Sequence, residues 1–255
     1  MFNEKDFLQS EILYKLSGKW GVDMLNHNES DTHIGPAPLS PELVHACLER
    51  VKDLRLEGFL TGFGKWPGRL MMVGEAPGAT EVQNGRPFSG QAGKVLDGYL
   101  DALEITRDDL YITSSVRSRP YKDKPVKGNP DRLSRSNRTP TRAEVLAFAP
   151  ILDQEITIVQ PEILITLGNI GLQRLLGDGY TITAVHGQPI YSKIQQVERD
   201  YPEKGYFWSE QEYCIFPMYH PAAVLYNRSL TDVIDGDLKQ LRELISQKSQ
   251  IAEHQ

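Results

Sequence analysis

Polar side chains that could perform chemistry follow each of four short apolar segments of the chain. Glu75 follows the first segment, Ser114 the second, Asn169 the third and His220 the fourth. A carboxylate, a hydroxyl, an amide and an imidazole can hold a polar ligand, transfer protons or stabilise a developing charge. They act together only if the fold brings them to one place. Whether it does depends on the helices and strands that carry them.

The apolar segments have the length and composition of buried strands that alternate with helices. Strands are predicted over 69–73, 110–113, 162–166 and 214–218, and helices over 5–16, 41–55, 90–103, 141–159 and 231–247. This alternation predicts an α/β fold of three layers, α/β/α, around a central four-stranded parallel sheet. Ligands bind at the carboxyl ends of the strands in such sheets, so we expect the four polar groups on one rim. Residues 117–140 are predicted to form a long loop, and 181–192 with 206–212 an outlying hairpin or irregular strands.

Length and composition favour one domain over residues 1–255, with a core at 69–250 and an N-terminal helical extension at 1–68. No apolar run approaches the roughly 18–20 residues of a membrane helix, and the first residues lack the pattern of a secretory signal. We therefore expect a cytoplasmic protein that does not contact a membrane. We also expect it to be a monomer. Cys47 and Cys214 are too few for an all-cysteine iron–sulfur cluster or a four-cysteine zinc site, and both are expected in the core.

The segment after the first predicted strand is rich in glycine and runs GEAPGATEVQNGRPFSGQAGKVL from Gly74 to Leu96. It is not a nucleotide phosphate loop, because Phe88 stands where that motif needs glycine and Val95 where it needs serine or threonine. Its glycines would let the backbone approach a ligand closely, and Phe88 could stack on a flat base. The competing interpretation places Phe88 in the core and Glu75 and Glu81 in solvent.

Paired with the late segment His220-Pro221-Ala222-Ala223, this glycine loop resembles the uracil-DNA glycosylase superfamily, above all its fourth family. The resemblance extends from about Leu70 to the C-terminus and includes Asn137-Arg138-Thr139-Pro140 and the segment 161–168. It implies a monofunctional DNA glycosylase of base-excision repair. Such an enzyme flips a damaged base out of DNA, with uracil as the expected base, and hydrolyses its N-glycosidic bond.

The resemblance also implies roles for individual residues. Phe88 would stack on the base and His220 would support charge on the departing base. Glu75 or Glu81 would stabilise the cationic sugar or position water, and the sequence does not rank the two. Contacts with the base are expected from Gly74, Ala76, Phe88, Ser114 and Asn169.

Two departures from the family pattern bear on these expectations. The fourth family usually holds an iron–sulfur cluster, but Ser118 and Phe148 stand at two of its cysteine positions, so we expect neither a cluster nor any other cofactor. Ser114 stands where relatives commonly have asparagine, whose amide contacts the uracil edge at two points. A non-catalytic or altered-specificity DNA- or nucleobase-binding protein therefore remains an alternative, as does a small-molecule enzyme on a flavodoxin-like sheet.

The predicted long loop is basic in a chain whose net charge is −6. DNA contacts are expected from Arg117, Arg119, Lys122, Lys124, Arg138, Pro221 and Ala222. The competing interpretation is a solvated surface without a ligand. One branch of the superfamily bonds the abasic sugar covalently through a histidine in an inserted loop, and residues 117–142 contain no histidine.

Overall fold

A computed structural model describes residues 32–126 and 128–253. The strands are β1 His33–Gly35, β2 Leu56–Glu57, β3 Phe63–Trp66, β4 Leu70–Gly74, β5 Leu110–Ser114, β6 Arg119–Val126, β7 Asn129–Asn137, β8 Ile163–Leu167, β9 Ile190–Val197 and β10 Tyr206–Met218. The α-helices are α1 Pro41–Val51, α2 Ala79–Asn84, α3 Gln91–Ala102, α4 Arg142–Val159, α5 Asn169–Leu176, α6 Ile182–Val185, α7 Ala223–Tyr226 and α8 Thr231–Glu253. Short 3₁₀ helices span Arg107–Asp109, Pro202–Lys204 and Arg228–Leu230. None of the helices described is long and apolar enough to cross a membrane.

The main sheet has seven strands in the order β1-β3-β5-β4-β8-β10-β9. Its four central strands, β5, β4, β8 and β10, are parallel neighbours, which confirms the predicted four-stranded parallel core. The sheet is wider than predicted, because β3 and β1 extend one edge and β9 the other, all in antiparallel pairings. Strands β1 and β3 are too short to show a hydrophobic period, so the sequence pattern did not reveal them.

Helices cover both faces of this sheet. Along β4, Leu70 and Met72 pack on one side with α3 and α8, whereas Met71 and Val73 pack on the other with α4 and α5. Side chains alternate between the two faces of a strand, so a strand buried on both faces is apolar throughout, as all five residues of β4 are. A third apolar cluster joins α1 to α4 and contains Cys47. Both cysteines are free and buried, as predicted.

The region before residue 69 differs from its prediction. The predicted helix at 5–16 lies outside the described residues. Within 32–68 the helical interpretation is only partly right, because α1 is accompanied by three strands. Two of those strands, β1 and β3, continue the main sheet, so this region is part of the sheet layer rather than a helical extension.

The predicted loop at 117–140 is largely a β-hairpin, and that prediction was wrong. Strands β6 and β7 pair antiparallel, and β6 also pairs with β2 to make a second sheet of three strands. The hairpin was missed because its strands carry charged or polar side chains on both faces, and strand prediction depends on an apolar alternation. The predicted outlying hairpin is confirmed in its second half, where β9 pairs with β10, but 182–185 forms the short helix α6.

Candidate active site

A cavity of about 170 Å³ opens at the carboxyl ends of β4, β5 and β10. Its lining residues are Leu60, Ala76, Pro77, Gly78, Glu81, Pro87, Phe88, Ala92, Thr113, Ser114, Asn137, His220 and Ala222. The segments after three of the four predicted strands therefore meet, as expected for this kind of sheet. Two larger hollows, of about 710 and 430 Å³, lie elsewhere and are lined neither by the glycine loop nor by His220.

Phe88 and His220 face each other in this cavity, with their ring centroids 5.7 Å apart. Phe88 is only 8% exposed and belongs to an apolar cluster of the sheet, so it is both a core residue and a cavity wall. Its backbone has a φ of 49°, a left-handed conformation that is uncommon for a bulky residue. The guanidinium of Arg107 holds this turn by donating to the carbonyls of Pro87 and Phe88 at 3.2 and 2.8 Å.

Glycine is required at two positions where the backbone passes close to Phe88. A Cβ on Gly74 would lie 3.0 Å from two atoms of the Phe88 ring, and a Cβ on Gly93 would lie 1.8 Å from the Phe88 carbonyl oxygen. Gly74 thus contributes by leaving room for Phe88 rather than by lining the cavity. Ala76, the other small residue predicted to meet the base, does line the cavity.

His220 has one ring nitrogen engaged by its own loop. The backbone N–H of Ala222 donates to Nδ1 at 3.1 Å, so in the neutral ring the proton is on Nε2. Burial lowers the pKa of His220 below 6.5, and the nearby charge of Glu81 opposes that shift. The imidazole is therefore neutral at pH 7 and presents an N–H donor.

The two candidate carboxylates have different surroundings. Glu81 lines the cavity and ties the glycine loop together by accepting from Gly78 N–H at 3.1 Å and Gly90 N–H at 2.9 Å. Those two glycines are the N-cap residues of α2 and α3, so one carboxylate fixes the start of both helices. Glu75 is not among the lining residues, and burial raises its pKa.

A buried polar network supports the cavity from below. The hydroxyl of Thr113, which lines the cavity, donates to Glu155 at 2.6 Å. Glu155 also accepts from Gly62 N–H, from the hydroxyl of Tyr111 and, at 2.6 Å, from Arg117. Arg117 and Glu155 are fully buried, so Arg117 holds the floor of the site and its predicted contact with DNA is wrong.

Arg119 and Arg138 also have structural partners in place of the predicted phosphates. Arg119 is buried, pairs with Glu57 and donates from Nε to Asn137 Oδ1 at 2.6 Å. Arg138 donates to both carboxylate oxygens of Glu144, at 2.6 and 2.8 Å. Both guanidinium groups therefore fasten the ends of the β6–β7 hairpin to the body of the protein.

The remaining predicted DNA contacts divide into exposed, cavity-lining and buried residues. Lys122 and Lys124 are exposed on β6. Ala222 lines the cavity. Pro221 is buried, so its predicted contact with DNA is wrong.

Asn137, and not Asn169, brings an amide to the cavity. The Asn169 side chain accepts from Ile182 N–H at 2.7 Å, and Asn169 is absent from the lining, so its predicted base contact is not supported. Asn137 lines the cavity, and Arg119 fixes its orientation. Because a guanidinium only donates, Oδ1 must face Arg119, and Nδ2 points toward Gly78, 3.1 Å from the position of a Cβ there. The sequence indicated the segment Asn137-Arg138-Thr139-Pro140, but nothing in it assigned this amide.

Ser114 lines the cavity, but its hydroxyl proton already forms a hydrogen bond within the protein. Its Oγ donates to the carbonyl of Val116 at 2.9 Å, which leaves only lone pairs to face a ligand. Ser114 is therefore an acceptor in this arrangement. An asparagine amide offers both a donor and an acceptor, whereas Ser114 here offers only an acceptor.

Two large exposed apolar residues that follow the His220 loop were not singled out from the sequence. Leu225 is 47% and Tyr226 is 90% exposed on α7, directly after the His220 loop. The turn is closed by a hydrogen bond from Ala223 N–H to the His220 carbonyl at 2.8 Å. The available signal was two large apolar residues in a segment with no helical period.

The residues at the iron–sulfur positions do not fit such a cluster. Phe148 is fully buried in the same apolar cluster as Cys47, and Ser118 is buried too. Burial raises the pKa of the Cys47 thiol to about 11, which disfavours the thiolate that binds iron. With two cysteines in the whole chain, four thiolate ligands are impossible.

The Uracil DNA glycosylase superfamily matches residues 61–243 of this chain. A type-4 uracil-DNA glycosylase of Sulfurisphaera tokodaii is 36% identical over 190 residues, which cover 72% of this chain and 73% of that protein. Two other type-4 uracil-DNA glycosylases, from Saccharolobus solfataricus and Pyrobaculum aerophilum, are 32% and 36% identical over 73% and 77% of this chain. Those matches cover 76% and 88% of the two relatives. The chain belongs to the uracil-DNA glycosylase superfamily.

Proposed function

We propose that this protein excises uracil from DNA as a monofunctional glycosylase. The observation that carries the proposal is the shared cavity of Phe88 and His220, in a chain whose relatives are named uracil-DNA glycosylases. The cavity, at about 170 Å³, is smaller than the roughly 300–1,000 Å³ of most ligand pockets. That volume suits one flat ring swung out of the helix better than a whole free nucleotide.

Flipping has an energetic cost of a few kcal/mol, because the base must leave its stack and its pair. The Phe88 ring offers the flipped base a flat apolar surface, and stacking on an aromatic ring stabilises a base by about 1–3 kcal/mol. Leu225 and Tyr226, both exposed on α7 directly after the His220 loop, would fill the gap left in the stack. Together these contacts offset the cost of extrusion.

His220 is the group we assign to the leaving base. When the bond between the base nitrogen and the sugar carbon breaks, the bonding electrons stay on the base and its oxygen gains negative charge. The Nε2–H of neutral His220 donates to that oxygen, since Nδ1 is engaged by Ala222 N–H. Loss of one such preorganised donor typically costs about 3 kcal/mol of barrier.

Glu81 and Asn137 are the groups we assign to the attacking water. A Cβ built on Gly78 would lie 2.7 Å from Glu81 Oε2 and 3.1 Å from Asn137 Nδ2, so an acceptor and a donor converge beside the loop. Water could donate to the carboxylate and accept from the amide, with its lone pair directed at the sugar carbon. The negative charge of Glu81 would also stabilise the cationic sugar. Glu75 remains the second candidate for this role. It lies in the same glycine loop as Glu81, but it does not line the cavity.

The second candidate function is binding without efficient excision, or excision of another base, and Ser114 favours it. Its hydroxyl can accept the N3–H of uracil, but it offers no donor to the neighbouring carbonyl oxygen. Discrimination against other bases would then depend on the cavity's shape and on His220.

The proposal includes a monomer that works in the cytoplasm without metal or organic cofactor. Free thiols at Cys47 and Cys214 fit a reducing compartment. Phe148 and Ser118 at the iron–sulfur positions offer no thiolate ligand, which supports the proposal that no cluster is bound.

The direct test is a release assay on single- and double-stranded oligonucleotides that contain uracil, hypoxanthine or xanthine. We expect abasic product from uracil without strand scission, because no lysine nucleophile is involved. Product from hypoxanthine or xanthine alone would support the altered-specificity alternative. Tight binding with no abasic product from any substrate would contradict excision.

A further inference from the structure

We propose that the β6–β7 hairpin is an arm with one face that binds the phosphodiester backbone of DNA beyond the flipped nucleotide. The proposal rests on the proposed action on DNA. It adds a partner surface that the cavity does not include.

The pleat of the hairpin sorts its charges by face. Across the ladder Lys122 is opposite Ser136, and Lys124 is opposite Ser134. Directly opposed residues lie on the same side of an antiparallel pair, and alternate residues along a strand share that side. We define the basic face as Lys122, Lys124, Arg132, Ser134 and Ser136. Arg132 has no partner across the ladder, because the register shifts between Pro125 and Val126, and we assign it to this face by its alternation with Ser134 and Ser136 along β7. The basic face has three cations and no acid.

The opposite face holds the one acidic side chain described in the hairpin. Asp123 lies 3.4 Å from Arg55 and 4.0 Å from Arg135. Arg135 in turn pairs with Glu57 at 2.7 Å and covers the ring of Tyr121 at 4.4 Å. The charges of this face therefore neutralise one another.

The cations of the basic face are left for an external partner. Lys122, Lys124 and Arg132 are exposed, and none of them forms an ion pair with another residue in the part of the chain that the structure describes. Ser134 and Ser136 donate to the carbonyls of Lys124 and Lys122, at 3.3 and 3.4 Å. The two serines are thus turned back onto the backbone, and their short side chains do not screen the cations beside them.

The hairpin starts and ends beside the cavity. Asn137, the last residue of β7, lines the cavity, and Arg119, the first residue of β6, is anchored by Glu57. The paired ladder runs from Tyr121 to Val126 on β6, and its five steps, at about 3.3 Å each, give an arm of roughly 17 Å. The phosphates of one DNA strand follow at about 3.4 Å per nucleotide, so the arm can run beside about five nucleotides.

The sign of the charge identifies the partner. Residues 119–137 contain six lysines and arginines and two aspartates, a net charge of +4 in a chain of net charge −6. A basic arm attached to the rim of the cavity would attract a polyanion to the site, while the acidic remainder of the surface would not. Because this contact would be with the backbone, it would carry no sequence preference.

The experiment compares two charge-matched triple variants on DNA without uracil. The first is Lys122→Gln/Lys124→Gln/Arg132→Gln. The control is Lys193→Gln/Lys204→Gln/Lys239→Gln, which removes the same charge at exposed positions of β9, a 3₁₀ turn and α8. Binding to a 25-base-pair duplex is measured by fluorescence anisotropy between 50 and 200 mM salt.

For three phosphate contacts we expect the hairpin triple to reduce the slope of log affinity against log salt by about 2.7. Wild-type affinity should therefore fall about forty-fold more over this salt range than affinity of the hairpin triple does. The control should retain the wild-type slope. Equal slopes for wild type and both triples would overturn the proposal and identify the basic face as solvated surface only.

Two readouts separate this proposal from the proposed function and from misfolding. The single change Lys124→Gln should reduce the slope by about 0.9 even if the triple unfolds. Binding to uracil-free DNA requires no catalysis, so the arm can be confirmed in a protein that excises nothing. If excision occurs, the hairpin triple should raise KM for long oligonucleotides and leave a trinucleotide substrate unaffected. An unchanged KM on long substrates would contradict the arm without affecting the cavity.

Discussion

Two sets of cations from one short stretch of sequence have opposite environments in this protein. Arg117 is sealed beneath the cavity against Glu155, and Arg119 is buried against Glu57. A few residues later, Lys122 and Lys124 are exposed on the basic face of the hairpin. The first set holds the site in shape, and we infer that the second set meets the substrate. A basic run in a sequence is thus not one surface, because burial and the strand pleat divide it.

The sharpest test of this comparison is removal of a buried cation. Arg117→Met should destabilise the fold by about 3–5 kcal/mol, because it leaves the carboxylate of Glu155 buried without its charged partner. The free energy of unfolding would be measured by urea denaturation. Lys122→Gln is the control on the exposed side and should change stability by less than about 0.5 kcal/mol. Similar losses of stability in the two variants would contradict the division of these cations into a buried, structural set and an exposed set.

The next effect concerns the carboxylate that joins the glycine loop to the cavity. Glu81→Gln keeps the shape, but its amide can accept fully at only one of the two atoms that now accept from Gly78 and Gly90. We expect single-turnover excision to fall about 100-fold, from a disordered loop and the lost negative charge. Glu75→Gln is the matched control and should have the smaller effect. The reverse order would assign the catalytic carboxylate to Glu75.

A smaller effect is expected from pH. The pKa of His220 is lowered by burial, so the neutral ring predominates at pH 7. As pH falls through that lowered pKa, a proton adds to Nδ1 and breaks the hydrogen bond from Ala222 N–H that orients the ring, although the Nε2–H remains. Single-turnover rates should therefore be flat around neutrality and decline toward acid. The decline should vanish in His220→Ala. A rate that rises on acidification would show that the charged imidazolium is the active form.

The smallest effect concerns the amide at the cavity mouth. Asn137→Ala should reduce excision about tenfold through loss of one hydrogen bond, while Asn169→Ala, whose amide faces Ile182, should leave the rate unchanged. Steady-state kinetics on a uracil oligonucleotide would distinguish them. Equal losses from both variants would show that neither amide acts on the bound nucleotide.

The four parallel strands were predictable from the sequence, and the resemblance to the uracil-DNA glycosylase superfamily implied that Phe88 and His220 meet. Strands buried on both faces are continuous apolar runs, and the carboxyl ends of parallel neighbours share a rim. The hairpin was not predictable, because neither of its faces is apolar. The partners of Arg117 and Arg119 are 38 and 62 residues away, a separation that leaves no local pattern. For the same reason the role of Asn137 appeared only once Arg119 was seen to orient it.

The central claim is that a flipped uracil is held between the ring of Phe88 and the Nε2–H of His220. The measurement that tests it most directly is single-turnover release of uracil from a saturating oligonucleotide by wild type and His220→Ala. We predict abasic product from wild type and a rate lower by about 100- to 1,000-fold in the variant, with oligonucleotide affinity retained. An equal rate in the two proteins, or no product from either, would contradict the claim.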